Sequence, residues 1–95
     1  MDEDTNTDFI ARADAHINLA NSHLPDREPG RVTASFMYGS SRFNAWISAT
    51  GFSSAQEMQA QRDETLDYFV SQYREMLEEN LDDYIENFDQ YMRSE

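Results

Sequence analysis

The residues with the best claim to chemistry stand in the middle of the chain. Arg42 is the single charged residue from Val32 to Gln56, in a chain that is 27% charged. Tyr38 lies one helical turn before it and Asn44 two residues after it. A guanidinium near a phenol and a carboxamide is a donor set suited to a carboxylate or a phosphate. The same charge also suits a structural ion pair with a carboxylate further along, Glu78, Asp82 or Glu86. Losing one side of such a pair costs about 3–5 kcal/mol when it is buried. Tyr38, Arg42 and Asn44 are therefore the candidate anion or ion-pair site. In either role Asn44 is suited to close hydrogen bonds as a buried carboxamide.

Acidic residues make the second feature. Glu75, Glu78, Glu79, Asp82, Glu86 and Asp89 fall on one side of a helical pattern, with Asp83 at its edge, and no basic residue occurs between 75 and 92. Like charges at i, i+4 repel by a few tenths of a kcal/mol, and acids near a helix C-terminus oppose the dipole. Such a face is tolerated for solubility or kept for a partner. As a docking surface for a basic protein its contacts are Glu75, Glu79, Asp82, Glu86 and Asp89. It lacks the Asp-x-Asp-x-Asp-Gly loop of calcium sites.

Other chemistry is thin. His16 and His23 are seven apart on a flank of the first helix with Arg12 near them, and neither Glu-x-x-His nor His-Glu-x-x-His spacing occurs. They read as ordinary flank histidines. Ser40 and Ser41 have no His or Lys close in sequence, and there is no glycine-rich phosphate loop. No catalytic residue, metal or cofactor is expected.

Composition narrows the partners. The 95 residues carry 7 basic and 19 acidic side chains, a net charge of −12; all the basic ones are Arg, and cysteine is absent. A chain this acidic does not replace the counterions of DNA or RNA, and anionic membranes repel it. Disulfides, thiol catalysis and cysteine zinc sites are impossible. The acidic start Met1-Asp2-Glu3-Asp4 is unlike a signal peptide, and no stretch nears the roughly 20 apolar residues of a membrane span. The cytoplasm is the expected compartment. Arginine-only usage fits a GC-rich genome or adaptation to salt, where screening relieves an acidic surface.

Three helices must position these residues in a single domain over 1–95, with residues 1–6 frayed. Phe9, Ile10, Ala13, Ile17, Ala20 and Leu24 are spaced for a helix over about 7–24, and Thr5 or Thr7 is the cap. Pro25 to Gly30 reads as the loop. A second helix over about 31–50 has a bulky face, Val32, Phe36, Phe43, Trp46, Ile47 and Thr50, and a small one, Ala34, Ser41, Ala45 and Ala49. Its near lack of charge predicts cover on most sides, and Gly51 is placed as its C-cap. Ser53/Gln56 and Ser54/Glu57 are overlapping capping boxes. A third helix over about 54–93 carries Leu66, Val70, Tyr73, Leu77, Leu81, Tyr84 and Phe88 in an 11-residue repeat, the period of a nearly straight helix. At 1.5 Å per residue it spans about 60 Å, twice the roughly 30 Å diameter of a compact domain this size. Either a kink near Gln61–Thr65 folds it back, or a second copy covers it. The expected architecture is thus all-α, three helices assembled as a homodimeric bundle.

Two strings carry a resemblance. Phe36-Met37-Tyr38-Gly39-Ser40-Ser41-Arg42-Phe43-Asn44-Ala45 and the run Phe69 to Ile85 resemble a small family of proteobacterial proteins classed as a domain of unknown function. The likeness spans about Asp8 to Phe88 and centres on the Met-Tyr-x-x-x-Arg-Phe-Asn-Ala signature. Where Gly39, Ser40 and Ser41 stand, relatives tend to carry alanine, a departure that loosens the second helix or widens a groove beside it. The resemblance implies a cytoplasmic, all-helical protein and supplies no active-site residues. The chain reads as a non-enzymatic oligomeric interaction or regulatory module, with a homodimer partner and a basic protein as a further one. The alternative is a small anion or metabolite binder, or weak enzyme, centred on Tyr38, Arg42 and Asn44.

Overall fold

A computed structural model describes residues 5–93. They are almost wholly helical, with no strand among them. The chain divides into two compact units, Met1–Ile47 and Ser48–Glu95.

In the first unit, α1 runs Asn6–His23. Thr5 is its N-cap: the Asp8 amide donates to the Thr5 hydroxyl at 3.1 Å. The cap decides between the two threonines the sequence offered. Residues 1–4 of the expected frayed segment lie outside the described residues, whereas Thr5 and Asn6 belong to the cap and first turn. A 3-10 turn, Leu24–Asp26, follows. The loop is shorter than the sequence suggests, because α2 starts at Pro29 and runs to Ala49. Proline suits a first helical position, where its missing N–H is not needed. The amides of Arg31 and Val32 both donate to the Glu28 carbonyl, at 3.0 and 3.2 Å.

In the second unit, Gly51 does not cap α2 in the left-handed conformation, since no described glycine has positive φ. Its amide instead donates to the Ser48 carbonyl at 3.0 Å in a tight turn. The expected single helix over 54–93 is three: α3 (Ala55–Ala60), α4 (Arg62–Glu86) and α5 (Phe88–Arg93). The first break falls within the stretch where the sequence allowed one. Gln61 leaves helical geometry (φ −101°, ψ 5°), and its amide donates to the Met58 carbonyl, three residues back. Asp63 and Glu64 then restart the helix where its dipole favours acids. The second break is at Asn87 (φ −113°, ψ 30°). Its carboxamide donates to the Asp83 carbonyl at 3.1 Å and to Asp83 Oδ1 at 2.9 Å. Such side-chain bonds compete with the helical backbone. The ladder itself continues, from the Tyr91 amide to the Asn87 carbonyl at 3.1 Å.

Burial is scarce. Among the described residues Val32, 7% exposed, is the one buried hydrophobic residue. The neutral surface of α2, expected to be covered, is open: Tyr38 is 66% and Trp46 62% exposed.

Candidate functional site

The first unit holds an open groove of about 720 Å³ between α1 and α2. On α1, Arg12, His16, Leu19 and His23 line it, at steps of four, three and four, which is one helical face. Opposite them on α2 stand Val32, Phe36, Gly39, Ser40 and Phe43, again one face. The rings of His16 and Phe36 meet across the groove with centroids 6.5 Å apart. A side-chain atom added at Gly39 meets nothing within 4 Å. The glycine thus leaves one wall low. Among the described residues, no carboxylate lines the groove.

Arg12, His16 and His23 are the residues that sequence reasoning passed over. Their spacing was visible, but the apolar positions of α1 drew attention to another face. Phe9, Ile10 and Ile17 are exposed and take no part in the groove. The two flank histidines thus line the groove.

None of Tyr38, Arg42 and Asn44 lines the groove. Tyr38 and Arg42, four apart, lie about 40° from each other around α2, whereas Asn44 is about 160° from Arg42, on the other side. The structure thus brings Tyr38 and Arg42 to one face and leaves Asn44, half-buried, away from them. Arg42 is exposed. Among the described residues of its own unit it has no ion-pair partner. The Ser41 hydroxyl donates to the Tyr38 carbonyl at 2.9 Å.

Glu75, Glu79, Asp82, Glu86 and Asp89 are all exposed on α4 and α5. Two cations temper this face. Arg74 pairs with Glu78 at 3.4 Å and Arg93 with Asp89 at 3.4 Å. At this exposure each pair contributes about 0.3–0.5 kcal/mol. Among the described residues, no group of three or more His, Asp or Glu side chains is placed to hold a metal. Asp83 holds the other notable cluster: besides Asn87, the Tyr91 hydroxyl donates to its Oδ2 at 2.8 Å, and the Tyr84 and Tyr91 rings lie 4.5 Å apart. The Asp83 carboxylate, by that bond and by its charge, holds the Tyr91 phenol above its ordinary pKa.

A family profile described as "Protein of unknown function (DUF3144)" matches residues 9–85. The chain belongs to this family. The match covers nearly the stretch over which the resemblance was read. The NMR structure of the protein NB7890A from Shewanella sp. is 44% identical to this chain. It superposes with a TM-score of 0.77 over 94% of this chain and 95% of that one. No curated protein matches the chain significantly. No helix among the described residues is long and apolar enough to cross a membrane.

Proposed function

We propose that this DUF3144 protein is a non-catalytic interaction module that works as an oligomer, with the acidic face of α4 and α5 free to receive a basic protein. The observation that carries the reading is the bare apolar stripe of the second unit. Leu66, Val70, Tyr73, Leu77, Leu81, Tyr84 and Phe88 are each 41–58% exposed. Taking about 200 Å² for a large side chain, they present roughly 700 Å² of continuous surface. A standard protein interface takes about 800 Å² from each partner, and monomers rarely leave a patch above a few hundred Å² uncovered. The stripe and the acidic face lie on opposite sides of α4, so covering one leaves the other in solvent.

Light scattering tests the reading. The native chain is expected at twice its 11.1 kDa at micromolar concentration. Leu77→Glu places a charge in the stripe, and at least a tenfold weaker association is expected. A native species of 11.1 kDa at every concentration overturns the proposal.

A second reading draws on Arg42 and Tyr38, which are exposed on one face. Together they suit an anion. Arg42→Met should abolish binding of inorganic phosphate while the fold and assembly remain. Equal binding by both proteins removes this reading.

A further inference from the structure

We infer that the groove between α1 and α2 of one copy receives the apolar stripe of α4 from a second copy, an inference that rests on the oligomeric reading above. Four observations bear on it.

Shape comes first. The groove is concave and open, and the stripe is the convex ridge of a helix. An amphipathic helix laid in a hydrophobic groove is a recurrent mode of recognition. Length comes second. The groove is lined from Arg12 to His23 on one wall and from Val32 to Phe43 on the other, 11 residues or about 16 Å on each. Leu66 to Leu77, with Val70 and Tyr73 between, is one 11-residue repeat of the stripe and covers the same three turns. A ridge of that length fills the groove from end to end.

Charge is the third. Among the described residues, the groove is lined by Arg12, His16 and His23 and by no carboxylate. α4 has two arginines against nine acids, and Asp67 and Glu78 fall about 80–100° from the centre of the stripe, where they border it. A groove lined by nitrogen donors and, among its described residues, by no carboxylate suits an acid-bordered ridge. Two copies placed the other way, stripe on stripe, would instead bring these acids together. Area is the fourth. Leu66, Val70, Tyr73 and Leu77 present about 400 Å², half of the roughly 800 Å² that a partner contributes to a standard interface. A two-fold pair makes the contact twice, because each copy offers both a groove and a stripe.

The chain has no cysteine, so introduced thiols report cleanly. Gly39→Cys marks the groove, where a new side chain meets nothing within 4 Å. It is mixed in turn with single variants at Leu66, Val70, Tyr73, Leu77 and Leu81, each changed to Cys. Glu75→Cys and Glu79→Cys are the controls on the opposite face. After subunit exchange and mild oxidation, a disulfide-linked product of two 11.1 kDa chains is expected at neighbouring stripe positions. Its yield should exceed the controls at least tenfold. Equal yields at the stripe and the control positions overturn the inference. So does efficient linkage of Gly39→Cys to itself, which would set α2 against α2. Carrying Gly39→Cys and Leu77→Cys in one chain gives a further check: closure within a single 11.1 kDa chain assigns the groove to the same molecule and also overturns it. Scanning five positions keeps the result readable if one variant fails to fold, and circular dichroism identifies that variant. If the native protein is a dimer and no stripe position links, the groove assignment falls while the oligomeric reading stands. If the native protein is a monomer, both fall.

Discussion

Ser54→Ala removes the N-cap of α3. That helix has six residues, too few to persist on its own hydrogen bonds, since nucleation is costly. Its start is held by three interactions. The Glu57 amide donates to the Ser54 hydroxyl at 3.1 Å. The Glu57 carboxylate in turn accepts from the Ser53 amide at 2.7 Å and the Ser53 hydroxyl at 3.0 Å. This is a capping box in which the glutamate reaches one residue beyond the cap. Loss of the cap hydroxyl costs about 1 kcal/mol in favourable settings, within a range of about 0.5–2, whereas glycine at the same place costs only a few tenths. For a domain this size, 1 kcal/mol lowers Tm by about 4–8 °C. Thermal melting by far-UV circular dichroism, at one protein concentration and pH 7, should therefore rank the native protein, Ser54→Gly and Ser54→Ala in falling order. A pH series adds a second readout. The Ser53 amide first, and its hydroxyl second, hold the Glu57 carboxyl below its ordinary pKa of 4.5. A depressed folded pKa means that the stabilisation is present above pH 4.5 and is lost as pH falls through the folded value. The Tm gap between the native protein and Glu57→Ala should therefore be full at neutral pH and shrink below about pH 4.5. If Ser54→Ala melts with the native protein, or Ser54→Gly falls as far as Ser54→Ala, the hydroxyl does not hold α3 and the reasoning fails.

Other expectations are simpler. Val32→Ala removes apolar volume from the one buried hydrophobic residue and should cost about 1.5 kcal/mol by chemical denaturation; an unchanged midpoint would show that Val32 is not packed in solution. Tyr91→Phe should delete the most weakly acidic phenol from a spectrophotometric tyrosine titration. The folded pKa of Tyr91 is raised above its ordinary value of 10.0, so its stabilisation is present below pH 10 and is lost as pH rises through the folded value. Molar salt should raise Tm by screening the exposed acids of α4 and α5, and a Tm that stays flat counts against adaptation of this surface to salt.

Much of the fold was legible because helical sequences advertise their period and their ends. Thr5, Pro29 and Ser54 mark three helix starts by side-chain or ring chemistry that acts within one turn. Breaks were harder. Nothing in the apolar stripe interrupts at Gln61 or Asn87, since the pattern stays in phase across both. The Asn87 break rests on a carboxamide bonding back to Asp83, which is local geometry that periodicity does not record. Gly51 misled for the opposite reason. Its residue type fits a left-handed cap, yet the chain turns there with ordinary dihedrals.

The site was less legible, and the cause is physical. Apolar spacing reports which face of a helix avoids water, not which neighbour covers it. Of the apolar face of α1 read from Phe9, Ile10, Ala13, Ile17, Ala20 and Leu24, Ala20 lines the groove, beside Arg12, His16, Leu19 and His23. Arg42 drew attention because it is alone in a neutral run, and it lies outside that groove. Among the described residues Val32 is the one buried hydrophobic residue. The hydrophobic effect still acts on every exposed Leu, Val and Tyr of α4, at about 25 cal/mol for each Å² removed from water. For roughly 700 Å² of stripe that is on the order of 17 kcal/mol before the entropy of association and side-chain ordering is subtracted. A driving force of that size seeks cover.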